Sequence, residues 1–127
     1  IAQGADVVYA AAGSTGLGVL QTAADEGILS IGVDSNQNHL HSGQVLTSML
    51  KRVDVAVFNA FSAGAELPNG FNVLGLAEGG IDYAIDDNNK DLVTAEMQAA
   101  VDAAKAKIIA GEIMVHDYMS DNACPVK

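Results

Sequence analysis

From Asp6 to Val33 the chain runs apolar segment, glycine-rich turn, amphipathic segment and second apolar segment, with almost nothing between them. No other stretch limits the available folds so strongly. Asp6 to Ala12 carries the β-rich run VVYA, and Gly13, Gly16 and Gly18 follow in the turn Gly13 to Gly18. Thr15 to Glu26 puts Leu17, Leu20 and Ala24 on one helical face, with Gly27 placed to end the helix. Ile28 to Val33 (ILSIGV) is a second buried-strand pattern, stopping at Asp34. A strand–helix–strand unit with short links is parallel and right-handed.

The rest of the chain extends the alternation. Ser35 to Gly43 reads as a polar loop, Val45 to Met49 as a third strand and Lys51 to Ala63 as a helix. Ala65 to Gly70 (AELPNG) is a turn. Asn72 to Ala77 (NVLGLA) is expected to be a fourth strand, and Ile81 to Ile85 a short fifth, with a turn at Glu78 to Gly80 between them. Asp86 to Asp91 is a polar connector. Thr94 is placed as the N-cap of a helix with the stripe Met97, Val101, Ala104 and Ile108, closed at Gly111. Glu112 to Val115 is a last strand candidate, before an irregular polar tail. These elements predict an α/β fold with a mostly parallel sheet flanked by helices.

Composition removes several function classes. Six Lys and Arg against sixteen Asp and Glu give a net charge of −10, which repels phosphate backbones and argues against nucleic acid as a partner. No apolar run is long enough to span a bilayer. The single cysteine, Cys124, permits no internal disulfide and has no cationic run around it to activate it. The chain opens IAQGADVV, with neither an initiator Met nor a signal sequence, and is read as a piece of a longer protein.

In an open parallel sheet, ligands bind beyond the C-terminal ends of the strands. Three polar positions fall there: Gly13, Ser14 and Thr15 after strand one, Asp34 after strand two, and Lys51 just after strand three. Helix-start N–H groups and the two hydroxyls suit a small polar ligand, a carboxylate suits paired sugar hydroxyls, and an ammonium suits a ring or hydroxyl oxygen. Each residue also has a plainer explanation. Ser14 or Thr15 caps the helix, Asp34 opens a turn, and Lys51 is a solvated charge or pairs with Asp34.

The glycine turn invites a phosphate reading, which its spacing does not support. A P-loop requires Lys after its glycines and none is present; the dinucleotide pattern Gly-x-Gly-x-x-Gly is replaced by Gly13-x-x-Gly16-x-Gly18. Asp34 is the one feature that favours a dinucleotide. No Tyr has a Lys four residues later, so a Rossmann-type nucleotide-dependent enzyme is a distant alternative. His39 and His41 would share a face on an extended segment but lack further ligands for a metal. His116-Asp117 is read as an exposed strand-end pair rather than a base with its orienter, and Asp82 to Asp91 lacks the glycine and terminal Glu of a calcium loop. No catalytic residue, metal or cofactor is expected.

The segments GADVVYAAAGSTGLGVLQTAADEG, IGVDSNQ and VLTSMLKRVDVAVFNAF, followed by VLGLAEGGIDYA and VHDYMSDNACP, resemble one family. It is the basic-membrane-protein family of substrate-binding lipoproteins, the purine-nucleoside receptor group of ABC importers. The resemblance covers nearly the whole chain. It implies a type I periplasmic binding fold in which two α/β lobes close on a ligand, mostly a purine nucleoside. It implies that Asp34 contacts the ribose, that Lys51 reaches the ligand, and that Gly13, Ser14 and Thr15 line the pocket. It also implies an ABC permease as partner and a periplasmic or cell-surface location, with a lipid anchor on an N-terminal segment outside this chain.

The likeness is to the C-terminal part of a family member, so the N-terminal lobe and most base-reading groups are expected to lie elsewhere. Residues 44–66 are expected to belong to that first lobe, and their strand and helix to lose their sheet without it. The apolar residues Val53, Val57, Phe58 and Phe61 are then expected to be covered by self-association, strand swapping or a separate N-terminal fragment. The effector domain of a transcription regulator shares this fold and is a further alternative.

Overall fold

The structure, a computed structural model, describes residues 1–125. β1 (Val7–Tyr9), β2 (Leu29–Gly32) and β3 (Val45–Lys51) lie side by side and parallel, and β4 (Ile81–Tyr83) adds antiparallel to β3. α1 (Thr15–Asp25) joins β1 to β2, α2 (Val53–Ala63) follows β3, and α3 (Ala95–Ile109) follows β4. The expected α/β lobe with a mostly parallel sheet is present.

The core lies where the strand–helix–strand pattern puts it. Leu20 and Ala23 of α1 are buried together with Val33, Val45 and Ala84. Full burial of a Leu or Val side chain stabilises by about 1.5–3 kcal/mol relative to exposure. α1 ends as the sequence predicts, with Gly27 at φ +70° and its N–H bonded to the Ala24 carbonyl. At the other end of the chain, Thr94 caps α3 by accepting from Met97 N–H at 3.1 Å, and Gly111 closes the helix at φ +74°.

The polar connector after β4 is a structural joint. Asn89 is fully buried and donates to the carbonyls of Leu46 and Ala84, both at 2.9 Å, while its own Oδ1 accepts from Asp86 N–H. Asp86 accepts from the Asn36 and Asn38 side chains and from the Asn88 backbone and side chain. These bonds, the one from Asn36 foremost, pull the Asp86 carboxyl down to about 2. The connector is thereby tied to β3 and to the loop after β2.

Several expectations are corrected. Asn72 to Ala77 is not a strand: Gly75 N–H turns onto the Glu78 carboxylate at 2.8 Å, and Gly80 N–H closes onto the Gly75 carbonyl. The segment folds on itself, and the β3 edge it would need is taken by β4. Glu112 to Val115 is not a strand either, because Glu112 and Ile113 both donate to the Lys107 carbonyl and wrap the end of α3. The loop after β2 holds a 3-10 turn, Asn38–His41, in which residues two apart do not share a face, so His39 and His41 do not form a pair. His116 lies on no strand end; its Nε2 meets the Ala123 carbonyl at 2.8 Å, and Asp117 caps the short helix α4 (Tyr118–Asp121). β3 does not lose its sheet, since β2 and β4 flank it. The helix after it is different: no residue of α2 is buried, and Phe58 and Phe61 are 71% and 85% exposed.

Candidate functional site

Three parallel strands place their C-terminal ends on one edge of the sheet, and the sequence candidates meet there. Lys51 is the last residue of β3 rather than the first of the helix. Its Nζ lies 2.6 Å from Asp34 Oδ1, and its backbone N–H donates to the Asp34 carbonyl at 2.9 Å. The pair is therefore held through both backbone and side chain. The hydrogen bond and then the charge of Asp34 raise the Lys51 pKa above its ordinary 10.5, so the ammonium persists at neutral pH. Asp34 Oδ1 is sealed from solvent and faces Lys51, although 45% of the side chain is exposed. Oδ2 is thus the oxygen available to an incoming hydroxyl.

Beside this pair lies an open hollow of about 270 Å³, lined by Gly13, Ser14, Leu17, Val33, Asp34, Ser35 and Gln37. Gly13 turns the chain at φ +53°, a conformation that suits glycine. Ser14 occupies the N-cap position of α1 but makes no side-chain cap bond, so the capping explanation for its hydroxyl fails and the group lines the hollow. The N–H groups of Thr15, Gly16 and Leu17 are already bonded to the carbonyls of Ala12, Gly13 and Ser14. They do not form the anion cradle that a bare helix start offers. Thr15 itself lines a separate hollow with Val8, Gly18, Val19 and Thr22. The structure therefore brings together Gly13, Ser14, Asp34 and Lys51, and leaves Thr15 apart.

A larger hollow of about 490 Å³ lies between α2 and the stretch from Leu67 to Glu78. Its walls are mostly alanine and other apolar side chains, with no ion pair among them, and it is the gap beneath an uncovered helix. Among the described residues no cluster of three metal-ligating side chains occurs, and no helix is long and apolar enough to cross a membrane.

The sequence model of the ABC transporter substrate-binding proteins described as PnrA-like matches residues 1–118. The chain belongs to this PnrA-like family. It is 32% identical to basic membrane protein A of Borreliella burgdorferi over 87% of its own length, and 34% identical to basic membrane protein D of that species over 68%. It is also 37% identical over 64% of its length to an uncharacterized lipoprotein of Pyrococcus furiosus. The chain spans only 33%, 27% and 22% of those three relatives. An ABC transporter solute-binding protein of Aeropyrum pernix superposes with a TM-score of 0.70 at 26% identity, over 94% of this chain and 43% of that one. A transcriptional activator of the comK gene from Bacillus halodurans superposes at 0.77 with 21% identity, over 91% and 40%, and shows the shared fold alone.

The PnrA-like chain also presents rim residues that sequence reasoning passed over. Ser35 and Gln37 lie in the segment Ser35 to Gly43 that reads as a polar loop, yet both line the hollow. The available signal was the density of Ser, Asn and Gln directly after a strand-end Asp. Leu17, on the expected apolar face of the helix, and Val33, at the end of the second strand pattern, supply the apolar wall.

Proposed function

We propose that the full-length protein binds a purine nucleoside or a similar small ligand between two lobes and delivers it to an ABC permease. On this reading the chain is a binding module that does no chemistry, and hinge closure of the lobes signals occupancy. Asp34 accepts from ribose hydroxyls, Lys51 donates to a ligand oxygen, and Gly13 and Ser14 form the wall beside them, with Thr15 supporting the turn. The observation that carries the reading is the Asp34–Lys51 ion pair, 2.6 Å apart at the C-terminal edge of the parallel strands, in a chain of the PnrA-like family.

Of the residues 44–66 expected in the first lobe, the same reading keeps only the part after β3, α2 foremost, because β3 pairs with β2 and β4 in this sheet. It places the protein in the periplasm or at the cell surface on a lipid anchor, and has the exposed face of α2 covered by the N-terminal part or by another copy. Asp34→Ala in the full-length protein is expected to weaken nucleoside binding at least about tenfold, the scale of a lost charge-assisted hydrogen bond. Titration calorimetry showing unchanged affinity removes Asp34 from the site. A thermal-shift panel separates the enzyme alternative: nucleosides are expected to stabilise the full-length protein, and NAD(P) is not.

A further inference from the structure

Asp34 has an unusual backbone. It is one of two non-glycine residues with positive φ among those described, at +70°. Ser35 N–H donates to the Val33 carbonyl at 2.8 Å, an i→i+2 closure that makes Asp34 the centre of a γ-turn of the left-handed kind. Such a turn is strained for a residue with a Cβ and persists only where its surroundings over-determine it.

Those surroundings are specific. Gln37 Oε1 accepts from Val33 N–H at 2.9 Å, so Val33 is held by its N–H on one side and by its carbonyl on the other. Gln37 is itself fixed, because its N–H donates to Ser48 Oγ at 3.0 Å and Ser48 donates to Asn38 Oδ1 at 2.8 Å. Ser48 and Asn38 are both fully buried. Gly32 leaves room for this arrangement: a Cβ there would stand 2.5 Å from Ser48 Oγ and 2.9 Å from Gln37 Cβ. From β3, Lys51 N–H grips the Asp34 carbonyl.

We propose that Gln37, seated on Ser48, is a positioning residue that locks the Asp34 turn and so aims the carboxylate at Lys51 and the rim hollow. The proposal rests on the reading of Asp34 as a ligand-binding residue. Gln37→Met keeps the length of the side chain and removes the acceptor, leaving the N–H of buried Val33 without a partner. The expected consequence is a relaxed turn and a displaced carboxylate.

The test uses the full-length protein and calorimetry with inosine, guanosine and adenosine. Gln37→Met is expected to weaken binding at least about fivefold, within the range of coupling between residues of one hydrogen-bond network. In the Asp34→Ala background the same change is expected to add nothing, because the group it positions is gone. Independent, additive losses overturn the proposal, as does unchanged affinity in Gln37→Met. Unchanged affinity in Asp34→Ala instead removes the site reading and leaves the turn to a second arm. That arm is a crystal structure of Gln37→Met, in which Asp34 is expected to leave the left-handed region and its contact with Lys51 to open. A wild-type turn there overturns the proposal whether or not a nucleoside binds. Ser48→Ala, expected to show the same coupling to Asp34 with a smaller loss, replaces Gln37→Met in both arms if that variant does not fold.

Discussion

α1 and α2 are both eleven residues long, and α2 is the more apolar of the two by sequence. Yet α1 buries Gly16, Leu20 and Ala23, while α2 buries nothing. α1 connects two adjacent parallel strands, and that crossover lays it against β2. α2 leaves β3 for a stretch that never returns as a neighbouring parallel strand, so no connection presses it onto the sheet. Apolar composition supplies the material for a core, and connectivity decides whether it is used. α3 stands between these cases. It is attached to β4 at its rim, through Lys105 to Asp82 at 3.4 Å and the Tyr83 hydroxyl to Asp102 at 3.3 Å, and its apolar stripe is only partly covered.

The contrast is open to direct attack. Leu20→Ala is expected to destabilise the chain by about 2–5 kcal/mol, because α1 cannot collapse onto a sheet it already touches. Phe61→Ala is expected to change stability by no more than about 0.5 kcal/mol in dilute solution. Urea melts of the two variants check this, and equal losses would erase the distinction between the helices. At higher concentration the exposed face of α2 is expected to drive self-association of the 127-residue chain, relieved by a paired Phe58→Ser and Phe61→Ser change. Sedimentation showing a monomer of the unaltered chain, with no co-purifying fragment, would sink that expectation.

Smaller effects sharpen the picture at the helix and connector level. Thr94→Ala removes the acceptor for Met97 N–H and is expected to destabilise by about 1 kcal/mol, read in the same melts. The Asp86 carboxyl sits at about 2 in the folded chain against an ordinary 3.8, so its contribution is fully present above the unfolded value and is lost as pH falls toward 2. The difference in urea midpoint between the wild-type chain and Asp86→Asn is therefore expected to hold at neutral pH and to shrink between about pH 4 and about pH 2. A difference that stays constant through that window would show that Asp86 is not the titrating tie.

Much of the first half was legible because its signals are local. The glycine turn, Gly27 and the apolar run ILSIGV each act within a few residues, and each element formed where they indicated, although the face α1 buries is Gly16, Leu20 and Ala23 rather than Leu17, Leu20 and Ala24, and Leu17 is 47% exposed. Thr94 and Gly111 were legible for the same reason. NVLGLA and EIMV were not, because both have strand composition and neither finds a free strand edge; pairing is a property of the neighbour. The rim was half legible. Asp34 and Lys51 are named by position at strand ends, while Gln37 and Ser35 look like any polar loop until the γ-turn closes beneath them.

The sequence by itself determined the strand–helix–strand unit, the acidic surface and the presence of a carboxylate and an ammonium at the ends of parallel strands. Those follow from periodicity, capping and charge, which are read within a few residues of the chain. Only the tertiary structure decided that Lys51 meets Asp34, that Ser14 lines the hollow while Thr15 does not, and that Asp34 is held at positive φ by Gln37 and Ser48. These depend on strand register and on hydrogen bonds and an ion pair between residues up to seventeen apart, Asp34 to Lys51. A pattern along the chain cannot specify such contacts until the strands have chosen their neighbours.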